Sequence, residues 1–313
     1  MIDIYIFSKP LQYLNIKNLV SKKINNTDEL IIIGNFFNAK LYYNKIKEYD
    51  SYWNSITFFE SRRSAYISLI NKKIRFLYLD RDHGIDYFFL KFLSFEKLRV
   101  YEEGYGTYRP TQKVDGFRSQ FKEFIVNLFG SGRGIGQSPL CSQLIVYYPN
   151  FYAKENNQLG YTAELVNFDS SFEENLLKNR ILFDKIFSTD SYIKSIKNKK
   201  VFFYATTWTI DYTIIQTIVS QMRNGDIFII KPHPHIKEHL DFDSSDIYIL
   251  NTPNLLEFIL IELKSNNNDI TVYHQNSTSM AYLQSINSIN IPTSNLVQNE
   301  DYSRFYNFLR ENE

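Results

Sequence analysis

Three short segments carry side chains whose types and spacing suit group-transfer chemistry. Glu102-Glu103-Gly104 sets two adjacent carboxylates directly after an apolar run, with a glycine for a tight turn. Like charges sharing a partly desolvated turn raise the proton affinity of one of them, which suits a general base. The competing reading is a pair of solvated turn acids, the commoner outcome for such a pair taken alone. Lys231-Pro232-His233-Pro234-His235 follows a second apolar run. Its prolines remove main-chain donors and stiffen the exit from a strand. His233 is thereby a candidate general acid, and Lys231 a fixed positive charge for a phosphate. His233 and His235 as metal ligands are the weaker alternative, because no carboxylate or cysteine lies near them in sequence. Ser277-Thr278-Ser279 opens a helical-looking stretch. Its hydroxyls would cap that helix in the ordinary way. The same helix start offers N–H groups and a positive dipole end to an anion.

Strands are needed to present these segments. Short β-branched and aromatic runs at 2–7, 30–34, 74–79, 98–101 and 144–148 alternate with helical stretches beginning at Leu11 and after Asn35. Further helices are expected at 117–129 and 173–187. The polar stretch 194–200 reads as a linker, after which the pattern restarts. Strands at 201–204, 227–230, 247–250, 270–273 and 289–291 alternate with helices at 210–222, 253–263, from Ser277 to Gln284, and 302–310. Such alternation predicts an α/β protein with mostly parallel sheets, and ligands then bind at the carboxyl ends of the strands. The glycine-dense run 130–136 lacks the GxGxxG register and reads mainly as a flexible loop, with a phosphate cradle as its alternative.

The chain has 313 residues, 44% apolar and 17% aromatic, which excludes a largely disordered protein. Net charge is +1, from 35 basic and 34 acidic residues, so no global field favours nucleic acid. Cys141 is the one cysteine, which excludes an internal disulfide framework and any cysteine-based zinc cluster. The first residues carry an early acid and no basic region of a signal peptide. No uncharged apolar run approaches the ~20 residues of a membrane span. The expected location is the cytoplasm.

The order acid–acid–Gly, His-Pro, serine motif, here Glu102-Glu103-Gly104, His233-Pro234 and Ser277-Thr278-Ser279, resembles that of the bacterial GT-B sialyltransferases. Glycosyltransferase family 52, which acts on lipooligosaccharide and capsule, is the most similar in its compact length. Thr206-Thr207-Trp208 resembles a segment of some of these enzymes, and Glu257 resembles the family's ribose-binding acid. The resemblance covers roughly positions 100 to 283, and the serine motif departs from it in having Thr278 between two serines.

The resemblance implies two Rossmann-like domains with a cleft between them. Residues 1–195 would form the acceptor side with the base, and 196–313 the donor side, its last helix returning to the first domain. It further implies inverting, metal-independent transfer of N-acetylneuraminic acid from CMP-Neu5Ac to a sugar hydroxyl, commonly of galactose on a surface glycan. Glu102 would be the base, with Glu103 as the fallback. His233 would be the acid, and Lys231, Ser277, Thr278, Ser279, Glu257, Thr206, Thr207, Glu103 and Gly104 would bind substrate. CMP-sialic acid is a substrate here, with no cofactor beside it. The partners are an oligosaccharide or glycolipid acceptor, with no nucleic acid, and a homodimer is compatible with this reading. A Kdo or other nucleotide-sugar transferase and a non-catalytic carbohydrate-binding protein are the alternatives. Lys9, Tyr13, Lys17, Lys22 and Lys23 are candidates for peripheral contact with anionic lipid at the inner face of the membrane, each cation adding about 1 kcal/mol near the surface.

Overall fold

A computed structural model describes the chain except for residues 24–26, 110–131, 133, 157–162, 188–190, 208, 234–235, 237–246, 253, 285–292, 298 and 312–313. It divides into two compact units, Met1–Asn179 and Arg180–Glu313. The helix expected at 117–129 and the strand expected at 289–291 fall outside the described residues.

The first unit contains β1 (Ile2–Phe7), α1 (Pro10–Val20), β2 (Glu29–Ile33), α2 (Ala39–Tyr49), β3 (Ser55–Phe59), α3 (Arg62–Leu69), β4 (Lys73–Leu79), α4 (Ile85–Leu90) and β5 (Ser94–Tyr101). It continues with α5 (Tyr105–Tyr108), β6 (Cys141–Val146), α6 (Pro149–Asn156), β7 (Glu164–Asn167) and α7 (Phe172–Lys178). Its seven strands are parallel, in the order β3-β2-β1-β4-β5-β6-β7. Central β1 is buried from Asp3 to Phe7, as a strand covered on both faces must be. The order reverses between β1 and β4, so the crevice beyond their carboxyl ends is the topological switch point.

The second unit contains α8 (Arg180–Phe187), α9 (Ser191–Ser195), β8 (Lys200–Ala205), α10 (Tyr212–Gln221), β9 (Ile227–Lys231), β10 (Ile247–Ile249), α11 (Leu256–Ser265), β11 (Asp269–His274), α12 (Thr278–Gln284), β12 (Thr293–Asn295) and α13 (Glu300–Glu311). Its five strands are again parallel, in the order β10-β9-β8-β11-β12, and reverse between β8 and β11. Phe202, Tyr204, Phe228 and Ile230 pack with Ile215 and Ile218 of α10 to form one side of its core.

One expected element differs. The single helix at 173–187 is two helices that meet at Asn179. The Asn179 side-chain amide turns back onto the carbonyl and side chain of Asn175, at 2.9 and 2.8 Å. The units also divide there, upstream of the boundary expected at 195/196. The reason is that α8 belongs with α11: the Phe183 and Phe258 rings stack at 5.4 Å, and Arg180 reaches Glu262 at 3.3 Å. The terminal helix α13 packs on α12 of its own unit, with the Tyr282 and Phe305 rings 6.1 Å apart.

Each of the four N-terminal lysines lies beside an acid. Tyr13 is fully buried, and Lys9 pairs with Glu103. Lys17 pairs with Asp50, Lys22 with Asp169, and Lys23 with Asp3 and Asp28. Among the described residues no helix is long and apolar enough to cross a membrane.

Candidate functional site

The two carboxylates after β5 part company. Glu102 is fully buried. Its Oε2 accepts the Tyr147 N–H at 2.8 Å and the Tyr108 hydroxyl, while no hydrogen bond from the described residues closes on its Oε1. Burial pushes its carboxyl up to about 8, against the pull of those two donors. Its main chain is tied as firmly, with the carbonyl taking Asn15 Nδ2 at 2.8 Å and the N–H given to the Ile145 carbonyl at 2.9 Å. Glu103 is half-buried and forms an ion pair with Lys9, which follows β1. Its N–H donates to Thr107 Oγ1 at 2.9 Å, and Gly104 holds φ +132°, a value that spares the turn a side chain.

The neighbouring β1/β4 crevice holds charges that sequence reading missed. Asp80 is buried and pairs with Arg62, which also donates to Ser8 Oγ at 2.7 Å, while Gln12 Nε2 reaches Asp80 at 2.7 Å. The Asp80-Arg81-Asp82-His83 run after β4 was the available signal. Asp82 also explains the described part of the glycine-dense run. Its two oxygens accept the N–H groups of Gly136 and Ser138 at 2.8 and 3.0 Å. Gly136 has φ +76°, and a Cβ there would meet Leu144 at 2.7 Å. These N–H groups therefore cradle a carboxylate of the chain itself.

In the second unit, strand register sets Lys231, Ala205 and His274 side by side on β9, β8 and β11. Lys231 is buried, and its Nζ donates to the Thr252 carbonyl at 3.0 Å. Burial lowers its amine to about 8, although the Glu257 charge draws it back up. Glu257, in the first turn of α11, is fully buried; its own N–H and the Ser279 hydroxyl lie near its carboxylate, although no described residue closes a well-aligned hydrogen bond on either oxygen. Burial raises its carboxyl above the usual range, while weak hydrogen bonding from its own N–H and the Ser279 hydroxyl, and the Lys231 charge, work the other way.

Thr206 ties two loops together. Its N–H donates to the Lys231 carbonyl at 3.1 Å, and its Oγ1 accepts the His233 N–H at 2.9 Å. Thr207 Oγ1 donates to Gln275 Oε1 at 3.1 Å, bridging the ends of β8 and β11 across the switch point. His233 is half-buried, as are Ser277, Thr278 and Ser279 at the start of α12. His235 and Trp208 lie outside the described residues.

His274 is a further member that the sequence reading passed over. Its Nδ1 accepts the Ser277 N–H at 3.3 Å, which leaves the proton on Nε2, a buried atom with no partner among the described residues. Burial lowers its pKa to about 4, so the ring is neutral. The buried Thr252 hydroxyl likewise has no partner there. The carboxyl edge of this sheet thus holds His274 and Thr252 with hydrogen-bonding capacity that the described residues do not use, together with the buried carboxylate of Glu257.

No family model and no curated protein sequence matches the chain. Solved structures do. A UDP-N-acetylglucosamine 2-epimerase from Rickettsia bellii superposes with a TM-score of 0.56 at 12% identity, covering 99% of this chain and 88% of that one. A variant of the wall teichoic acid polymerase TagF, soaked with CDPG, gives 0.55 at 13% identity, covering 93% of this chain and 68% of that one. At this identity the likeness is one of fold. The two parallel-sheet units are Rossmann-like, and the fold class is GT-B.

Proposed function

We propose that the protein is a glycosyltransferase that moves N-acetylneuraminic acid from CMP-Neu5Ac to a sugar hydroxyl of a surface glycan. The observation that carries this reading is Glu257, fully buried and without a well-aligned hydrogen bond from the described residues, with the Lys231 charge acting on it at the carboxyl edge of the second sheet. A carboxylate in that state suits the paired hydroxyls of a ribose, and a neighbouring cation suits a phosphate. The motif order that resembles family 52 narrows the donor to CMP-Neu5Ac.

In this reading the acceptor oxygen attacks the anomeric carbon as the bond to the CMP phosphate breaks, with inversion. The acceptor proton goes to a carboxylate, and CMP departs with its negative charge met by Lys231 and the hydroxyls of Ser277, Thr278 and Ser279. His233 donates to the leaving phosphate. We assign the base to Glu103, not Glu102. A base must come within hydrogen-bond reach of the proton it takes, and Glu102 is fully buried, with its carboxyl pushed up to about 8 by that burial. Glu103 is half-buried and held by Lys9. Glu102 is then a positioning residue, anchoring the turn that aims its neighbour.

The test is CMP release from CMP-Neu5Ac across a panel of galactose-terminated acceptors, with product linkage read by NMR. Release that depends on acceptor and is lost in His233→Ala supports the reading. Turnover with CMP-Kdo or a UDP-sugar and none with CMP-Neu5Ac would reassign the donor while keeping the class. Binding of acceptor with no turnover of any nucleotide sugar would leave a carbohydrate-binding protein.

A further inference from the structure

Two helices of the first unit are apolar on their outer as well as their inner faces. On α3, Ala65, Tyr66 and Leu69 are buried, whereas Ile67 and Ile70, one turn apart, are 51% and 45% exposed. On α4, Tyr87 and Leu90 are buried, whereas Ile85 and Phe88 are 70% and 48% exposed, and Phe92 just beyond the helix is 60% exposed. The spacings 67/70 and 85/88/92 each place their residues on one side of a helix. The Phe88 and Phe92 rings meet edge to face at 5.4 Å. The helices pack together through Tyr66 and Phe89, whose rings stack at 6.0 Å, so the two stripes belong to neighbouring elements. Scattered exposed apolar residues need no explanation, but two exposed apolar stripes on helices that pack together mark a candidate interaction surface.

Charge identifies what it fits. Between Glu60 and Glu96 no acid is exposed: Asp80 pairs with Arg62, Asp82 is wrapped by main-chain N–H groups, and Asp86 pairs with Arg81, all three buried. The exposed charges on this stretch are cationic, with Arg63 one turn before Ile67 on α3 and Lys91 between Phe88 and Phe92. Exposed aromatic and branched aliphatic side chains flanked by cations, with the acids turned inward, match a surface whose boundary is apolar and whose potential is negative. We propose that the outer face of α3 and α4 docks on an anionic lipid bilayer. The loop that leads from β4 into α4 carries Asp80 and Asp82 at the carboxyl edge of the sheet, which also bears Glu103, so a docked protein would bring that edge near the bilayer. The docking itself stands whether or not sugar transfer is the reaction.

Co-sedimentation of the full chain with phosphatidylcholine vesicles, with and without about one-third phosphatidylglycerol, tests it. The expected result is binding that needs the anionic lipid and weakens with salt. The doubly substituted Phe88→Ser, Phe92→Ser protein should lose about tenfold or more in partitioning. Arg63→Gln, which touches only charge, should lose about two- to fivefold, and only at low salt. Lys22→Glu, outside this face, should bind as the parent does. Circular dichroism and the unfolding midpoint should be unchanged in all three, since each altered side chain is exposed. Parent protein that stays in the supernatant at low salt overturns the proposal, as do phenylalanine variants that bind like the parent. A concentration-dependent dimer dissolved by the phenylalanine substitutions, with no vesicle binding, would give the face to a second copy of the chain instead.

Discussion

At the carboxyl edge of the first sheet, acids meet donors from within the chain. Asp80 has Arg62 and Gln12, Glu103 has Lys9, Asp82 has two main-chain N–H groups, and Glu102 has Tyr108 and Tyr147. At the same edge of the second sheet, Glu257 has only its own N–H and the Ser279 hydroxyl nearby, neither well aligned, and His274 Nε2 and Thr252 Oγ1 are buried without partners among the described residues. Both edges surround a topological switch point, so the difference lies in the side chains placed there and not in the topology. A buried polar atom without a partner costs roughly 1–3 kcal/mol. The second edge is therefore built around groups that a ligand would complete. The first edge gives each of its acids a donor from within the chain, though Glu102 Oε1, Arg62 Nη1 and His83 Nδ1 stay without a hydrogen-bond partner among the described residues, and Glu103 stays within reach.

The sharpest way to break this comparison is to exchange the two neighbouring acids. Glu103→Gln should lower turnover about 10²–10⁴-fold, the usual worth of a general base, with donor affinity unchanged by calorimetry. Glu102→Gln should keep most of the turnover. The reverse pattern would return the base to Glu102 and show that its sealed environment opens during the reaction.

Next in size comes the partnering of the first edge. Arg62→Met leaves the Asp80 carboxylate buried with Gln12 as its remaining side-chain donor besides the Ser8 hydroxyl. Stranding one partner of a buried ion pair costs about 3–5 kcal/mol. Urea unfolding should report a loss of that order, and a change below about 1 kcal/mol would mean that the pair is dispensable.

Glu102→Gln should have a smaller effect, of opposite sign. The amide oxygen can take the place of Oε2 and accept both donors, while the NH2 occupies the unpartnered Oε1 position. The native carboxyl is raised from 4.5 to about 8, so between those values the folded state holds a proton that the unfolded chain releases. Stability of the parent protein therefore declines as pH rises through that window. The amide has no such cost. Glu102→Gln should match the parent near the lower value and exceed it by about 1–3 kcal/mol at neutral pH. A constant offset across the window would show that the carboxyl titrates normally.

The strands that were legible in sequence are those buried on both faces, such as β1, β8 and β9, where apolar residues run without a break over 4–7, 201–205 and 227–230. Edge strand β3 has no fully buried residue, so its pattern carries no signal. The break at Asn179 was invisible because apolar spacing continues through it, and only a side chain folding back on Asn175 ends the helix. Motif positions in the candidate site were legible because their residue types are unusual after a strand. Their states were not. Glu102 and Glu103 are identical in sequence, and what separates them is Tyr147 on a different strand's exit and Lys9 on another. The N-terminal lysines looked like a basic patch for the same reason, since their partners Asp50 and Asp169 lie far along the chain.

The smallest expected effect concerns Glu257, and it tests the second edge directly. Its carboxyl is raised by burial despite the Lys231 charge, so the ionised form is disfavoured in the folded state even with that attraction counted. A neutral amide of the same shape removes this cost. Glu257→Gln should raise the stability of the ligand-free protein by about 1 kcal/mol at neutral pH. The gain should fade as pH falls into the ordinary carboxylate range, where the parent protonates in both states. The same change should weaken donor binding about tenfold, because a carboxylate accepts on two oxygens what an amide accepts on one. Stability and affinity would thus move in opposite directions, the mark of a group kept for a ligand at the expense of the fold. Thermal unfolding and calorimetry with CMP-Neu5Ac on the same variant decide it. A less stable Glu257→Gln protein with undiminished donor affinity would make Glu257 a structural acid and remove the asymmetry between the two edges.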